Sequence, residues 1–579
     1  MTVTDVEVAL GAAGVLYGFN AAGVLELSDV HVAQRVCALS AETDERVALA
    51  VALAVRALRS GSVCVDLSTV AGVVGPADLP WPEPTAWLAA IRASPLLGEP
   101  PVLHLYDDRL LYLDRYWREE QQVCADLRAM LAAKPVVDVP DSQRLFPTGF
   151  DEQREAAEIA LSQAITVLTG GPGTGKTTTV ARLLALLAEQ TQYAGGPRAR
   201  IALAAPTGKA AARLQEAVAR EIERLDAADR ARLGELRAVT LHRLLGSRPD
   251  TSSRFRYDRA NRLPHDVIVI DETSMLSLTL MARLLEAVRP QARLILVGDA
   301  DQLASVEAGA VLADLVQGLS ARDDVRVAAL RTSHRFGESI GGLAEAIRLG
   351  EADRVLTVLR SGDPHIELVE DSEPDERLRS VLLPHALALR EAALLGAGAA
   401  AVATLDRHRL LCAHRRGPFG VAHWNRRVQM WLAEETGQPP WSEWYAGRPL
   451  LLTANDYGLR VYNGDTGVVV VGPDGLRAAV AGASGLLDFA TSRLSDVETM
   501  YAMTIHKSQG SQADEVTVLL PQAVSRLLTR ELLYTAVTRA KNKVRVVGTE
   551  ASLRAAIGRR AVRASGLAHR LQSFGEGCG

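Results

Sequence analysis

The chain has 579 residues, 48% hydrophobic and 23% charged, which is more than one hydrophobic core supports and ordinary for a globular protein of about three to four domains. No run of about 18 uninterrupted apolar residues argues for a membrane span, and the opening MTVTDVEVALGAAG lacks the basic start and apolar core of an export signal. A net charge of −5, from 69 acidic against 64 basic residues, excludes a globally basic nucleic-acid binder, so any nucleic-acid track must be a local patch.

Residues 1–140 carry no nucleotide motif. Within them 45–59, ERVALAVALAVRALR, is apolar on most faces and reads as a core helix, and 102–116 reads as two short strands about Asp107-Asp108-Arg109. These make a small α/β domain whose role is either docking to a partner or plain stabilisation. Residues 134–147, KPVVDVPDSQRLFP, hold three prolines and no helical period, and read as a linker. The five cysteines, Cys37, Cys64, Cys124, Cys412 and Cys578, lack paired spacing, which fits a reducing cytoplasm and neither a zinc site nor a disulfide frame.

A helix is expected from Phe150-Asp151-Glu152-Gln153 onward, with Asp151 as its cap. The Gln153 amide both donates and accepts, as an adenine edge requires. The chain then delivers its most specific stretch, TVLTGGPGTGKTTT at 166–179. A β-branched apolar strand leads into Gly170, Gly171, Pro172, Gly173, Thr174 and Gly175, and a helix follows. The glycines let backbone N–H groups turn onto phosphate oxygens, and the helix N-terminus adds positive partial charge. Lys176 supplies a mobile cation for the β- and γ-phosphates, Thr177 a hydroxyl for Mg²⁺, and Thr178 continues the lining, so G-x-x-x-x-G-K-T is complete. The site binds a nucleoside triphosphate.

Beyond it, the strand 201–205 ends in Pro206-Thr207-Gly208-Lys209 ahead of an Ala-rich helix, where Thr207 suits a phosphate of a nucleic-acid backbone. Thr240-Leu241-His242-Arg243 opens the next helix. The strand 266–270, DVIVI, runs into Asp271-Glu272-Thr273-Ser274-Met275, where one carboxylate can hold a Mg²⁺ water shell and the other can orient or deprotonate the attacking water. The strand 294–297 delivers GDADQL, with Gln302 able to reach a γ-phosphate. Three strands of a parallel sheet therefore end at one nucleotide. Far downstream, Arg335 in RTSHRF and Arg539 in YTAVTR flank TIHKSQGSQ at 504–512. An arginine given from a neighbouring domain stabilises charge on the transferred phosphoryl and links domain closure to hydrolysis.

Taken together, Gln153, GGPGTGKT, APTGKAA, TLHRLL, DETSM, GDADQL, TSHRF, YAMTIHKSQGSQ and YTAVTRAKNKV resemble, in this order, the motif set of superfamily 1 helicases over about residues 147–550. The arginine segment TSHRF, RRGPFGV at 415–421 with Trp424-Asn425, and NGDTG at 463–467 are similar to the RecD branch. DETSM departs from a pattern in which alanine often stands for the Thr, with no change to the chemistry. The resemblance implies an α/β fold of two RecA-like, parallel-sheet motor domains of the P-loop NTPase class. They would occupy 141–330 and 331–579, behind the N-terminal domain of 1–140, with a β-rich, SH3-like insertion at about 445–498.

It further implies an ATP-dependent DNA helicase moving 5′ to 3′ on single strands, with ATP and Mg²⁺ as cofactors. Its partners would be RecB-like and RecC-like subunits and single-stranded DNA at DNA ends, with no membrane, in the cytoplasm, and nuclease activity on another chain. Carried residue by residue, Lys176 and Thr177 bind phosphate and metal, Asp271 holds the metal and Glu272 activates water. Gln302, Arg335 and Arg539 meet the γ-phosphate, with Gln153 and Gly510 also at the nucleotide. Thr207, His242, Thr504, His506 and Lys507 lie on the DNA side.

Overall fold

The structure is a computed structural model that describes residues 8–573 apart from 75–77, 134, 136–140, 249–250, 333–337, 372–373, 438–441, 457 and 483–484. Helix α1 (Glu45–Arg59) forms as its composition predicts: Asp44 caps it by accepting from the Arg46 N–H at 2.8 Å, and Val47, Leu49, Ala50 and Val51 are fully buried. Strands β1 (Leu103–Tyr106) and β2 (Leu110–Leu113) pair antiparallel across a turn in which Asp107 and Asp108 both have φ near +50°. Positive φ at both central positions is the turn whose twist matches a tight hairpin, and Asp tolerates it. Helix α2 (Asp114–Ala132) follows and buries Val123, Cys124, Leu127 and Met130 along one stripe.

That stripe does not close a separate domain. It shares a core with the six-stranded sheet that follows, packing against Met281 and Leu285 of a helix far along the chain. The end of the expected linker is also committed to packing: 142–144 form one tight turn and Phe146 is fully buried among Leu161, Leu184 and Leu187. Arg144 anchors it by pairing with Glu189 at 3.0 Å and with Asp229.

Helix α3 (Asp151–Ser162) has Phe150, not Asp151, at its cap position, and Asp151 lies in the first turn, where its carboxylate accepts from Arg154. Strand β3 (Ile165–Gly170), helix α4 (Lys176–Tyr193), strand β4 (Ile201–Ala205), helix α5 (Gly208–Glu223), strand β5 (Ala238–Thr240), helix α6 (Leu241–Leu245), strand β6 (Val267–Ile270), helix α7 (Leu278–Ala287), strand β7 (Arg293–Gly298), helix α8 (Val311–Ser320) and strand β8 (Ala328–Leu330) complete the first unit. The sheet order is β8-β3-β7-β6-β4-β5, all parallel. Its strands are near-continuous apolar runs because helices cover both faces. In β6, Ile268 and Ile270 face α2, α7 and α8, whereas Val267 and Val269 face α3 and α4.

The second unit is a parallel sheet of β9 (Ile366–Val369), β10 (His408–Cys412), β16 (Ala502–Thr504), β17 (Ala513–Leu519) and β18 (Ala540–Val547), in the order β9-β18-β17-β10-β16. Helix α9 (Arg530–Val537) joins β17 to β18. Between β10 and β16 the chain builds an antiparallel five-stranded sheet: β11 (Pro449–Leu452), β12 (Thr466–Gly472), β13 (Gly475–Gly482), β14 (Gly485–Ala490) and β15 (Val497–Thr499), in the order β14-β13-β12-β11-β15. It has its own small core of Leu450, Leu452, Val469, Val480 and Phe489. The mixed architecture of parallel sheets is the α/β class the motifs implied.

The last helix, α10 (Leu567–Gln572), leaves the second unit and returns to the first, burying Leu567 and Leu571 against α8 and α2. On the way Ala564 exchanges hydrogen bonds with Ser62 and Val63 (3.1 and 3.0 Å), and Arg570 pairs with buried Glu120 at 2.9 Å. Glu120 also accepts from the Tyr112 hydroxyl at 3.0 Å.

Candidate functional site

The loop after β3 turns with Gly173 at φ +84° and Gly175 at φ +86°, conformations that favour glycine, and α4 starts at Lys176. A side chain at Gly170 would meet the Leu330 carbonyl at 2.7 Å, so strand β8 crowds the loop from one side. Gln153 donates to the Thr174 carbonyl at 3.2 Å, and the Thr174 hydroxyl to the Gly171 carbonyl at 2.9 Å. Lys176 Nζ donates to the Gly170 and Gly171 carbonyls at 2.5 and 2.9 Å, which holds the cation over the loop mouth.

This loop opens onto a cavity of about 800 Å³ shared by both sheets' units. Its lining brings together Gln153, Lys176, Thr177, Asp271, Gln302 and Arg539, residues spread over nearly four hundred positions of sequence. Pro172, Gly173, Gly175, Thr178 and Glu272 line it as well, and Arg213, Arg220 and Lys541 add positive charge suited to an anionic ligand. The site lies at the carboxyl ends of parallel strands, where open α/β sheets bind ligands.

Asp271 follows β6 directly, and its N–H donates to the Ala204 carbonyl at 2.9 Å. Burial pushes its carboxyl up to about 6, and the neighbouring Glu272 carboxylate pushes the same way. Glu272 has φ +52°, a left-handed backbone for a non-glycine residue, and its N–H donates to Asp271 Oδ1 at 2.9 Å. Such strain costs on the order of 1–3 kcal/mol and clusters where side chains must be aimed.

At the seam between the two units, one turn of the first, 299–303, exchanges hydrogen bonds with Gln509, helix α9 and Arg539 of the second. Gln302 Nε2 donates to Asp299 Oδ2 at 2.9 Å, and Gln302 Oε1 accepts from Arg539 Nη2 at 3.1 Å. Tyr534 donates its hydroxyl to Asp299 Oδ2 at 3.1 Å. The Leu303 N–H donates to the Thr535 hydroxyl at 2.9 Å, and Gln509 Nε2 to the Leu303 carbonyl at 2.6 Å. Asp299, Tyr534, Thr535 and Gln509 sat inside the quoted motifs but were not singled out. The signal for Asp299, Tyr534 and Thr535 is their position within five residues of Gln302 or Arg539, and Gln509 has none of that kind. Burial raises the Asp299 carboxyl, against the pull of Lys176 and its three donors. Arg539 is 4% exposed and also donates to the Thr535 carbonyl at 3.1 Å. Arg335 lies outside the described residues.

A second cavity, of about 290 Å³, gathers Thr207, His242, His506 and Lys507 beneath Tyr462 and Asn463 of the insertion. Thr207 is the cap of α5 and accepts from the Ala210 N–H at 3.2 Å, and Thr240 caps α6 in the same way. Tyr462 packs on Gly208, where a side chain would come within 3.0 Å of it. Lys507 pairs with Glu498 at 2.8 Å, and burial lowers both His242 and His506 below the usual imidazole range. Thr504 is buried and accepts from the Lys507 N–H, so it shapes the turn beneath the groove. Gly510 sits against Ala210 and Thr207.

Among known families, residues 21–111 match the RecBCD enzyme subunit RecD, N-terminal domain, residues 153–308 an AAA domain, and residues 499–547 a UvrD-like helicase C-terminal domain. The chain is 76% identical over 579 residues, all of both chains, to the RecBCD enzyme subunit RecD of Mycobacterium tuberculosis. It is 71% identical over 554 residues to the same subunit of Mycolicibacterium smegmatis, covering 96% of this chain and 99% of that one. The ATP-dependent RecD2 DNA helicase of Deinococcus radiodurans is 32% identical over 471 residues, 80% of this chain and 59% of that protein. The crystal structure of Bacteroides Pif1 bound to ssDNA aligns at a TM-score of 0.38 and 17% identity, over 69% of this chain and 91% of that one.

Proposed function

Because the chain belongs to the RecD family of ATP-dependent DNA helicases, we propose that it is the motor subunit that moves 5′ to 3′ along one strand within a RecBCD-type helicase-nuclease. In this reading it works with RecB-like and RecC-like partners on double-strand DNA ends in recombinational repair, in the cytoplasm, and carries no nuclease site of its own. The observation that carries the motor reading is the Gln302–Arg539 bond at 3.1 Å, which ties the nucleotide cavity of one unit to the other unit.

ATP is the substrate, seated with its phosphates on the loop 170–177. Lys176 meets the β- and γ-phosphates, and Gln153 reaches the base. Thr177 and Asp271 would hold Mg²⁺, which supplies charge neutralisation at the phosphates. The donor chemistry fits: both are oxygen donors lining one cavity, and among the described residues no cluster of three His, Cys, Asp or Glu groups competes for a transition metal. Glu272, aimed by its strained backbone, orients the attacking water and takes its proton. Gln302 and Arg539 sense and stabilise the γ-phosphoryl, and Arg335 is proposed for the same task. Loss of that phosphoryl releases the seam, and the groove under Tyr462 changes its grip on the strand through Thr207, His242, His506 and Lys507.

The test is phosphate release and strand displacement by the full chain, alone and reconstituted with both partner subunits. DNA-stimulated turnover with displacement of 5′-tailed duplexes is expected. Turnover indifferent to single-stranded DNA would overturn the reading.

A further inference from the structure

The groove beneath Tyr462 ends at His506, and beyond it lies a set of cations that the motor chemistry does not use. Burial first, and then the fields of Arg563 and Arg415, hold the His506 imidazole below its usual range. Arg563 belongs to the segment returning to the first unit and, among the described residues, donates only to the backbone carbonyls of Glu307 and Gly309, at 3.1 Å each. It packs on Gly61 of the N-terminal domain, where an added side chain would stand 2.8 Å from its guanidinium carbon. Gly61 in turn accepts from the Gly309 N–H at 2.9 Å, which fixes the end of α1 against this edge of the motor.

Five residues back along the chain from Gly61, Arg56 projects from the last turn of α1, and its field meets that of Arg526 in the loop before α9. Arg56 donates Nε to the Val24 carbonyl at 3.0 Å and forms no ion pair among the described residues, and neither do Arg415, Arg526 and Arg563. The two acids near Arg56 are already engaged: Glu26 and Asp29 both pair with Arg59, at 2.6 and 2.8 Å. In a chain of net charge −5, these four guanidinium groups come from three parts of the fold, and the His414–Ser525 hydrogen bond at 2.9 Å brings the segments carrying Arg415 and Arg526 together, with no carboxylate in ion-pair contact with any of the four among the described residues. A row of like charges kept apart from carboxylates is costly unless a polyanion lies along it.

We propose that the single-strand track continues past His506 over Arg415 and Arg563 onto the N-terminal domain, where Arg56 and Arg526 hold phosphates of the strand. This rests on the motor reading above and adds a segment of track that the motor motifs do not contain. The contacts are to backbone phosphate and carry no base preference.

The experiment measures binding of the full chain to oligo(dT) of graded length across a salt series, for the unaltered protein, Arg56→Gln/Arg526→Gln and Arg56→Lys/Arg526→Lys. Single-strand phosphate contacts each contribute about 0.7 to the slope of log affinity against log salt, so the glutamine pair should lower the slope by ~1.4 on long oligomers. Short oligomers that end in the Tyr462 groove should bind as before, DNA-stimulated turnover at saturating DNA should be unchanged, and the lysine pair should restore the slope. An unchanged slope on long oligomers overturns the proposal, as does equal loss on short and long ones. So does normal DNA binding together with failed assembly with the partner subunits, which would make this edge a protein interface. If the unaltered chain binds no oligo(dT) of any length, the motor reading itself fails.

Discussion

Tyr534 and Asp299 stand 235 positions apart in the chain and meet hydroxyl to carboxylate at 3.1 Å, with Gln302 donating to the same carboxylate oxygen. The ring of Tyr534–Asp299–Gln302–Arg539 therefore begins and ends on the second unit and passes through the first. Gly171 closes on it from the phosphate loop: a side chain there would lie 3.1 Å from the Tyr534 hydroxyl.

Tyr534→Phe keeps the buried ring and removes one hydrogen bond to a buried carboxylate, about 1.5 kcal/mol, or roughly ten-fold in rate if the bond matters at the transition state. DNA-stimulated kcat should fall by about that factor with KM for ATP changed by less than about two-fold. A fall in affinity matching the fall in kcat would mean that the tyrosine only supports the loop.

Lys176→Ala should remove ATP turnover with a melting temperature within about 1 °C of the parent. The lysine ends on its own loop's carbonyls and fills no core space, so its loss is a surface change for stability. Near-normal phosphate release would remove the basis for a nucleotide site here.

Arg539→Lys is the sharper test of the arginine, because Arg539→Ala would remove the cation together with its hydrogen bonds to Gln302 and the Thr535 carbonyl in the seam. The lysine variant should bind a fluorescent nucleotide analogue normally and hydrolyse ATP slower by up to ~10³ to 10⁵. Parallel loss of binding and turnover would assign Arg539 a structural role.

Asp314 on α8 lies near Ser565 and Glu120, and burial pushes its carboxyl up from 3.8 to about 7. The folded state therefore keeps a proton that the unfolded chain releases above about pH 4. Stability from this group is complete below that point and is lost as pH rises through 7. Asp314→Asn should melt higher than the parent at pH 8 and close to it at pH 4. A difference that does not change with pH would rule out the titration.

A chain starting at Asp141 tests where the N-terminal region belongs. Removing α2 strips Val123, Cys124, Leu127 and Met130 from the core they share with α7, α8 and α10. Exposure of that face should give a protein that aggregates or melts far lower, before any question of partner docking arises. Docking is better probed by Tyr17→Ser and Leu39→Ser, exposed positions on the same domain, followed by size-exclusion chromatography with both partners. Soluble, fully active protein from Asp141 onward would show the shared core to be dispensable.

Much of the nucleotide cavity is legible because its chemistry sits in local strings: strand, glycine loop, Lys-Thr; strand, Asp-Glu; strand, then Gln302. Each string needs only neighbouring residues to be recognised. The shared core was not legible, because the apolar stripe of α2 and that of α7 each read as one amphipathic helix, and nothing in either says which other helix it meets 160 residues away. The left-handed turn at Glu272 was invisible for a different reason, since a glutamate carries no local signal for positive φ and the surrounding fold imposes it. The threonines that open α5 and α6 show a third limit. A hydroxyl before a helix reads equally as a phosphate ligand and as a cap, and here both Thr207 and Thr240 already accept from their own helices.

The polypeptide crosses between the two motor units twice, first after β8 and again through residues 559–566 on the way to α10. A rigid body fixed to another at one point can tumble about it in any direction. Fixed at two separated points, it keeps one easy motion, rotation about the line that joins them. Each turnover would then swing the second sheet along the same arc, whichever base occupies the groove, so the displacement per ATP becomes a property of the hinge line and not of the nucleic acid. Lengthening the segment between Gly558 and α10 with a few glycines would loosen one of the two bearings while leaving α10 in its core, and should blur that displacement without abolishing hydrolysis.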